Sequence, residues 1–466
     1  MNWKDKRVVV IGAARQGIAL TRYLAEKGAQ VVLNDRSPAE ELNEAQDALA
    51  GLPVEWVLGD HPLSLLDGAD LVCPSGGVPL TIPLVVEAQS RGIPLSNDSQ
   101  IFLEAAPCKV IGITGSSGKT TTTTLTGLIG QAADGRGPYR KTFVGGNIGS
   151  PLIAEVDEMK VDDLAVVEFS SFQLEIMTRS PHVAVILNVA PNHLDRHGTM
   201  EAYIAAKLKI FKHQKPEDAA VLWRDDEATW DLKTQVKGKL YSFGLNPLLD
   251  DEIGAMVRAD SIWLRTEQGE SEVMPVSEIQ LRGEHNMLNV LAACSAAAAA
   301  GLPVDAMRAA TKGFTGVPHR LEFVRTLGGA DWYNDSKATS PQASITAIRA
   351  FDEPLIVLSG GRDKDLPWDE FIQVANERVD HLILFGEAAD VIRSAMGEKG
   401  YDFTLEVYTG LEEAVDAAAE KVSPGDVVLL APGGTSFDEF QDFEERGQRF
   451  KEWVCALRGE KDKVNS

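Results

Sequence analysis

The sequence predicts an α/β protein of three domains, each built on a mostly parallel sheet. Three observations predict this fold class: the chain has 466 residues, apolar strand-like runs alternate with helix-length segments, and several of these runs lead directly into glycine loops. We expect the domains to span residues 1–106, 107–316 and 317–466, with connecting segments at 104–108 and 316–318.

The first block reads as strand 7–11, helix 16–27 and strand 31–34. The loop between strand and helix, residues 12–17, resembles a dinucleotide-binding glycine pattern, but Ala14 replaces its middle glycine. Nicotinamide-nucleotide binding is therefore only one of its interpretations. Asp35 ends the next strand, where such folds place an acid that binds ribose. A second loop, residues 73–79, follows another apolar strand, 69–72.

The second block opens with a phosphate loop between an apolar strand, 110–113, and a helix-length segment. Residues 114–120 read Thr-Gly-Ser-Ser-Gly-Lys-Thr. Glycines let the backbone N–H groups converge, Lys119 adds a cation, and the Thr120 hydroxyl suits Mg²⁺. The common motif would need glycine where this chain has Ile113. We still favour ATP binding over a plain glycine–serine turn.

Two more side chains follow strands in this block. Glu168 is either a Mg²⁺ ligand opposite the phosphate loop or an acid at the start of the next helix, and local pattern does not separate these alternatives. For His193, local pattern favours an ordinary hydrogen-bonded loop residue over a metal ligand.

Lys207 shares a helical face with Tyr203, Ile210 and Phe211 if residues 202–211 are helical. An amine on an apolar face loses its hydration, so its pKa falls and it can add CO₂ to form a carbamate. The alternative is a lysine whose stem is buried and whose ammonium reaches solvent. The pattern alone favours this alternative.

Charge and hydropathy exclude other classes of protein. The net charge is −24, from 45 basic and 69 acidic residues, so we expect no nucleic-acid partner. No apolar run approaches the roughly 20 residues that cross a bilayer. Residues 1–7 carry no small-residue cleavage site, so we expect no signal peptide. We therefore expect a cytoplasmic protein without membrane insertion.

Taken together, these motifs resemble the ATP-dependent Mur ligases of peptidoglycan synthesis. The resemblance covers nearly the whole chain, and the short phosphate loop has the family's own form, T-G-x-x-G-K-T. It implies a Rossmann-like UDP-binding domain, a central P-loop ATPase-like domain, and a C-terminal Rossmann-like domain that binds the amino acid and closes on ATP. It also implies a monomer that binds ATP and two Mg²⁺ ions.

The implied reaction adds D-glutamate to UDP-N-acetylmuramoyl-L-alanine through an acyl phosphate, releasing ADP and phosphate. The catalytic residues carried over from the family are Lys119, Glu168, His193 and Lys207, the last as a carbamate. The implied metal ligands are Thr120, Glu168, His193 and Lys207.

The implied binding residues form three groups. ATP is assigned to Gly115, Ser116, Ser117, Gly118, Lys119, Thr120, Thr121, Asn286, Asn289, Arg320 and Asp335. The UDP-linked substrate is assigned to Ala14, Arg15, Gln16, Asp35, Arg36, Ser75, Gly76, Asn147 and Gln173. D-Glutamate is assigned to Lys337, Thr339, Lys364, Ser436, Phe437 and Phe443.

Two departures from the family's pattern leave residue roles open. Arg15 stands in a loop where many relatives carry small residues, and it either contacts a phosphate or closes the loop against an acid. Ser340 stands where relatives often carry asparagine, which leaves the exact amino-acid pocket open.

The motifs also leave other functions open. These are a related ligase with another amino acid, for example L-glutamate, a folate polyglutamylating ligase, or a non-enzymatic nucleotide-binding protein.

Overall fold

The computed structural model describes residues 2–191, 194–364, 366–397 and 400–457. The described residues separate into two compact units, one from residues 1–279 and 288–313, the other from 280–287 and 314–466. In the described part of the chain, no helix is both long and apolar enough to cross a membrane.

The first unit begins with a four-stranded sheet whose strands all run parallel, in the order β3-β2-β1-β4. Its strands are β1 (Arg7–Ile11), β2 (Gln30–Asp35), β3 (Val54–Leu58) and β4 (Leu71–Pro74). The helices that follow them are α1 (Arg15–Glu26), α2 (Asn43–Ala48), α3 (Pro83–Ser90) and α4 (Asp98–Ala105). The carboxyl ends of β1 and β4 carry the two loops predicted to bind a ligand.

A nine-stranded sheet completes the first unit, in the order β13-β12-β11-β10-β9-β8-β5-β7-β6. Its strands are β5 (Lys109–Thr114), β6 (Thr142–Gly146), β7 (Leu164–Glu168), β8 (Val183–Ile186), β9 (Ala219–Trp223), β10 (Lys239–Gly244), β11 (Ile253–Arg258), β12 (Ser261–Thr266) and β13 (Gly269–Pro275). The accompanying helices are α5 (Lys119–Ala133), α6 (Ser171–Leu174), α7 (Leu194–His197), α8 (Met200–Lys212), α9 (Glu227–Trp230), α10 (Glu284–Ala299) and α11 (Val304–Gly313). The first residues of α10, 284–287, belong to the second unit. Only the pairings of β12 with its two neighbours are antiparallel in this described sheet.

The second unit contains a six-stranded sheet in the order β14-β15-β19-β16-β17-β18, parallel except for the hairpin of β14 and β15. Its strands are β14 (Glu322–Leu327), β15 (Ala330–Asn334), β16 (Leu355–Gly360), β17 (His381–Phe385), β18 (Thr404–Tyr408) and β19 (Val427–Gly433). Its helices are α12 (Pro341–Ile348), α13 (Asp369–Arg378), α14 (Ala388–Met396), α15 (Leu411–Lys421) and α16 (Phe443–Ala456).

The central strands β7, β8, β16 and β19 are buried along their whole length, as strands of parallel sheets covered by helices on both faces are. One buried cluster extends from Leu24 and Phe102, beside the first sheet, to Phe143 and Phe169 of the second. The predicted α/β class with three mostly parallel sheets is confirmed. Because the two sheets of the first unit share this core, the boundary expected between residues 106 and 107 stays a prediction, as does that between 316 and 317.

Candidate active site

The phosphate loop occupies residues 115–118, between the end of β5 and the start of α5. Gly118 precedes the helix with a φ of 78°, in the left-handed region that glycine adopts without steric cost. A Cβ on it would lie 2.2 Å from Oδ1 of Asn289, and a Cβ on Gly115 would lie 2.9 Å from that of Leu187. Close packing therefore requires both glycines, which confirms the predicted strand–loop–helix turn.

Hydrogen bonds hold this loop in shape. Ser117 donates its N–H to Oδ1 of Asn188 at 2.9 Å. The Lys119 ammonium folds over the loop and donates to the carbonyls of Gly115 at 3.0 Å and Ser116 at 3.2 Å. A cation and the first N–H groups of a helix therefore converge on one point, an arrangement that favours a phosphate group.

The two threonines at the start of α5 differ in exposure. Thr120 is half-buried in the first turn, whereas Thr121 is buried. The Thr120 hydroxyl therefore keeps the access that the predicted metal ligand needs. The assignment of Thr121 to ATP stays a prediction.

Glu168 ends β7 at the same sheet edge, since it pairs with Ile113 of β5. Its side chain is 2% exposed, and Oε1 accepts a hydrogen bond from Nδ2 of Asn147 at 2.9 Å. The other oxygen, Oε2, is buried and has no hydrogen-bond partner among the described residues. Leaving such an atom unpaired is costly, and a carboxylate oxygen is a ligand that Mg²⁺ prefers. Glu168 therefore fits the role of a magnesium ligand.

An ion at this place would have few protein ligands. Within the described ranges, no three His, Cys, Asp or Glu side chains lie together as a metal site. The described oxygen ligands would be those of Glu168 and Thr120, and phosphate oxygens would supply others. This is the arrangement in which Mg²⁺ binds together with a nucleotide rather than in an all-protein cage.

Lys207 lies on the buried face of α8 and is 1% exposed. Its Nζ is 4.4 Å from the ring centroid of Tyr203 and has no hydrogen bond or ion pair with another described residue. Burial, and secondly the charge of Lys119, lower the pKa of the amine to about 6. The predicted desolvation is confirmed, and the interpretation of an ammonium that reaches solvent is wrong.

The predicted metal ligand His193 lies outside the described residues, so its role stays a prediction. Soon after it, α7 positions Arg196, a residue that the sequence did not single out. The Arg196 guanidinium carbon lies 3.8 Å from the ring centroid of Phe172, and its nitrogens donate to the carbonyls of residues 76–78 at 3.1–3.3 Å. Local spacing carries no signal for this contact, because its partners are more than a hundred positions earlier.

The first loop of the first sheet, residues 12–17, leads into α1, whose first N–H groups have no partner within the helix. Ala14 precedes that helix, and Arg15 and Gln16 lie in its first turn. Asp35 closes the loop, since its Oδ2 accepts the N–H of Ala13 at 2.7 Å. In this structure Asp35 therefore positions the loop; its contact with the substrate stays a prediction.

The second loop, residues 75–78, lies against the first. Oγ of Ser75 donates to the Gly12 carbonyl at 3.3 Å, and the N–H of Gly76 donates to Oε1 of Gln16 at 3.4 Å. The structure thus brings together the predicted residues of both loops. Two arginines were also assigned to the UDP-linked substrate. Arg15 donates to the carbonyl of Gly149 at 3.3 Å, and Arg36 is exposed.

Gln173 is completely buried, and its amide is engaged within the protein. Oε1 accepts the N–H of Ser170 at 2.9 Å to complete a capping box at the start of α6. Nε2 donates to Oγ of Ser99 at 2.8 Å, beside Asp98, whose carboxyl pKa is raised by burial to about 6. A direct contact of Gln173 with the substrate stays a prediction.

The two asparagines of α10 assigned to ATP, Asn286 and Asn289, are both buried. Nδ2 of Asn286 donates to the Arg282 carbonyl at 2.7 Å, near the start of the helix. Oδ1 of Asn289 accepts from the Thr122 hydroxyl at 3.3 Å. Asn289 therefore contacts the helix that carries the phosphate loop, as a residue near ATP would.

In the second unit, Arg320 lies in a strained turn. Its neighbours His319 and Leu321 have φ angles of 63° and 42°, in the left-handed region that non-glycine residues rarely adopt. Glu322 accepts the His319 N–H at 2.8 Å, and Oδ1 of Asp335 accepts that of Leu321 at 3.1 Å. Burial raises the pKa of Asp335 to about 6, and the charge of Arg320 opposes this shift. Two predicted ATP residues are thus close together.

The residues assigned to D-glutamate also come together in this unit. The Lys337 ammonium lies 5.4 Å from the ring centroid of Phe443. Lys364 donates to the Thr339 hydroxyl at 3.5 Å, and burial lowers the pKa of its amine. Two cations beside a hydroxyl and a ring suit an amino acid with two carboxylates.

The remaining two residues of this group, Ser436 and Phe437, follow β19. Ser436 is buried, whereas the Phe437 ring is 58% exposed. An exposed ring beside a loop of buried residues remains accessible to a ligand. The roles of both residues stay predictions.

Arg446, on α16, is a second functional candidate that the sequence did not reveal. It is fully buried and donates five hydrogen bonds of 2.8–3.2 Å, to Oγ and the carbonyl of Ser336 and to the carbonyls of Gly434 and Thr435. It therefore ties together the two loops that carry Lys337 and Ser436. Burial lowers its pKa to about 10, so it remains charged at neutral pH.

Comparison with known proteins agrees with this geometry. Residues 6–97 match the family model described as Mur ligase MurD-like, N-terminal domain. Residues 113–297 match the Mur ligase middle domain, and 319–434 match the Mur ligase, glutamate ligase domain.

Curated relatives match over almost their full length. The protein of Symbiobacterium thermophilum named UDP-N-acetylmuramoylalanine--D-glutamate ligase is 42% identical over 453 residues, covering 97% of this chain and 98% of the relative. Proteins of the same name from Acetivibrio thermocellus and Pelotomaculum thermopropionicum are 39% and 41% identical, each covering 97% of this chain and 97% or 98% of the relative.

Solved structures share the fold at lower identity. UDP-N-acetylmuramate-alanine ligase MurC from Thermotoga maritima aligns with a TM-score of 0.60 at 19% identity, covering 97% of this chain and 100% of that one. MurF ligase from the same organism, solved in complex with ADP, aligns with a TM-score of 0.56 at 20% identity, covering 97% and 96%. On the family models and the full-length relatives, this chain belongs to the Mur ligase family.

Proposed function

We propose that this protein is an ATP-dependent ligase that joins D-glutamate to UDP-N-acetylmuramoyl-L-alanine in peptidoglycan precursor synthesis. The observation that carries the proposal is the full-length similarity to proteins named for this reaction, 42% identical over 97% of the chain. The site described above supplies the parts that the chemistry needs. These are a phosphate loop, a buried carboxylate with an unpaired oxygen, and a neutral buried amine.

The phosphate loop and Glu168 would bind ATP and activate it. Lys119 and the first N–H groups of α5 would neutralise phosphate charge that increases as the terminal phosphoryl group moves to the substrate carboxylate. Glu168 and Thr120, with His193 and Lys207, would hold two Mg²⁺ ions, which supply Lewis-acid stabilisation of the phosphoryl oxygens. The number of ions is part of the proposal.

Lys207 would act after modification by CO₂. Its neutral Nζ donates its electron pair to the carbon of CO₂, an N–C bond forms, one C=O bond becomes C–O⁻, and a proton leaves the nitrogen to solvent. The low pKa of the amine supports this step, because only the neutral amine is nucleophilic. The product is a carboxylate-like group, so the modification would convert a buried neutral amine into an anionic ligand for a metal ion.

The substrates would bind at the other predicted loops. The two loops of the first sheet would hold the UDP-linked substrate, with Arg36, Asn147 and Gln173 as further contacts. Lys337, Lys364 and the other assigned residues of the second unit would hold D-glutamate. We assign the UDP-linked substrate to residues 1–106, ATP to 107–316, and the amino acid to 317–466.

We also propose that the enzyme acts as a monomer in the cytoplasm. Each predicted substrate group has candidate residues within this one chain, so the site needs no second copy. ATP and a UDP-linked precursor are both highly charged and do not cross a bilayer unaided. The reaction is therefore expected where ATP is supplied.

The test is phosphate release from ATP with UDP-N-acetylmuramoyl-L-alanine while the amino acid is varied. We expect release to require D-glutamate and to be negligible with L-glutamate, L-alanine or no amino acid. Product mass would increase by one glutamyl residue. Release that is independent of D-glutamate would refute the proposal.

The alternatives predict different results in the same assay. A ligase for L-glutamate would release phosphate with the L-enantiomer, and a folate ligase would require a folate as acceptor. A nucleotide-binding protein without ligase activity would be stabilised by ATP–Mg²⁺ in a thermal shift but would form no amide.

A further inference from the structure

We propose that Arg196 is a positioning residue that aims the second loop, residues 75–78, at the UDP-linked substrate. The proposal rests on the proposed function and adds a residue to its substrate site.

Arg196 donates hydrogen bonds to three successive carbonyls of the second loop. Nη1 of Arg196 donates to the carbonyls of Gly76 and Gly77, both at 3.3 Å, and Nη2 donates to that of Val78 at 3.1 Å. The guanidinium stacks on the Phe172 ring, 3.8 Å from its centroid. A planar group held on a ring and bonded to three successive carbonyls fixes the orientation of three peptide planes.

These hydrogen bonds set the direction of the Gly77 N–H. The carbonyl of Gly76 and the N–H of Gly77 belong to one planar trans peptide, in which they point in opposite directions. Holding the carbonyl toward Arg196 therefore aims the N–H away from it. That N–H makes no hydrogen bond with another described residue, so it is available to an anionic or polar ligand. Glycine alone would leave this peptide free to rotate.

Aromatic side chains hold Arg196 and Phe172 in place. His197 stacks on Phe172 at 5.1 Å between ring centroids and contacts Ser171 Oγ through Nε2 at 2.9 Å. His197 also packs against the Tyr203 ring, whose hydroxyl lies 3.0 Å from Oγ of Ser116 in the phosphate loop. Phe172, His197 and Tyr203 thus connect Arg196 to Ser116 of the phosphate loop. This chain of contacts fixes the position of the second loop relative to the phosphate loop.

Lysine cannot reproduce this arrangement. Its ammonium is compact, does not stack in a plane, and cannot direct parallel N–H groups at three carbonyls. We therefore compare Arg196→Met, which removes both charge and donors, with Arg196→Lys, which keeps the charge. Arg308→Met is the matched control, because Arg308 also donates to two backbone carbonyls, those of Glu272 and Val273, away from the second loop.

The measurement is KM for each of the three substrates and kcat, together with calorimetric binding of the UDP-linked substrate without ATP. For Arg196→Met we expect KM and the dissociation constant for this substrate to rise roughly tenfold or more, the cost of hydrogen bonds to a charged group. KM for ATP should change by less than about twofold, a difference within the error of such comparisons. Arg196→Lys should lie between wild type and Arg196→Met, and Arg308→Met should match wild type.

Equal increases in KM for all three substrates in Arg196→Met would overturn the proposal, since they indicate a general loss of structure. Unchanged binding of the UDP-linked substrate would overturn it too. Either result leaves wild-type turnover intact and so leaves the proposed function standing. Absence of D-glutamate-dependent turnover in the wild-type enzyme would instead refute the proposed function.

Discussion

Lys207 in the first unit and Arg446 in the second are both basic side chains buried inside a folded protein, yet their surroundings differ completely. Arg446 donates five hydrogen bonds and remains a cation, with a pKa lowered only to about 10. Lys207 has no hydrogen bond within the described chain, and burial lowers its pKa to about 6. A buried charge with all its donors paired holds structure together, whereas an unpaired one loses its proton and becomes reactive.

The largest expected effect is on catalysis by Lys207. Lys207→Ala should reduce kcat by on the order of 10²–10³-fold, because it removes the group that we propose as a metal-binding carbamate. Short carboxylic acids such as acetate should restore part of the rate by occupying the space left by the side chain. The measurement is D-glutamate-dependent phosphate release with and without added acetate.

The control for this variant is its folding. Thermal unfolding of Lys207→Ala should be as cooperative as that of the wild type, since the lost amine had no hydrogen-bond partner among the described residues. Full activity in Lys207→Ala, or mass spectra in bicarbonate that show only the unmodified amine, would contradict the carbamate.

Arg446 should show the opposite behaviour, a large effect on stability. Arg446→Met should lower the free energy of unfolding of the second unit by about 3 kcal/mol, because it leaves buried carbonyls without donors. The midpoint of urea unfolding, followed by tryptophan fluorescence, measures this. Arg449→Met on the same helix is the control: its ion pair with Glu452 is half exposed, so we expect a change below about 0.5 kcal/mol. Equal losses of unfolding free energy in Arg446→Met and Arg449→Met would mean that the buried hydrogen bonds of Arg446 add no stability beyond that of an exposed ion pair.

The sequence pattern singles out Lys207 but not Arg446, because the signal at Lys207 is local. Lys207 follows an apolar residue by four positions and precedes two others by three and four, so helical spacing alone places it on a buried face. The absence of a hydrogen-bond partner for Lys207 among the described residues depends on the packing around α8, which the sequence does not show. Arg446 pairs with Ser336 and Gly434, which are separated from each other and from it along the chain, and no spacing rule connects them.

The same distinction holds for the rest of the site. The strand–loop–helix turn at residues 115–118 and the strand end at Glu168 were predictable, because each is built from neighbours in sequence. The Arg196 contact was not, since the second loop and α7 meet only after the two sheets pack together. Gln173 shows the converse case: its position was predicted, but its amide is occupied by Ser170 and Ser99.

Glu168 extends the comparison to a buried acid, in which one carboxyl oxygen has no hydrogen-bond partner among the described residues. Glu168→Gln removes the charge but keeps the shape, and its amide can still accept from Asn147. We expect kcat to fall by about 10²-fold and the Mg²⁺ concentration for half-maximal activity to rise, since an amide is a weaker ligand than a carboxylate. Titration of activity with MgCl₂ measures both effects, and a variant with unchanged Mg²⁺ dependence would argue against this ligand.

The smallest expected effect, the pH dependence of stability, tests the state of Lys207 directly. In the unfolded chain its amine has the ordinary pKa of 10.5, whereas in the folded protein the value is about 6. Between these values the unfolded chain binds a proton that the folded protein does not, so stability decreases as the pH falls toward 6, by at most about 1.4 kcal/mol per pH unit.

Lys207→Met has no amine at this position, so its stability lacks this pH dependence. In CO₂-free buffer we therefore expect this variant to gain stability relative to the wild type between about pH 9 and about pH 7. Arg446→Met, whose arginine is protonated throughout that range in the wild type, should show a constant deficit. A difference between Lys207→Met and wild type that does not vary with pH would mean that Lys207 keeps its proton, and the contrast between the two buried cations would then be one of packing alone.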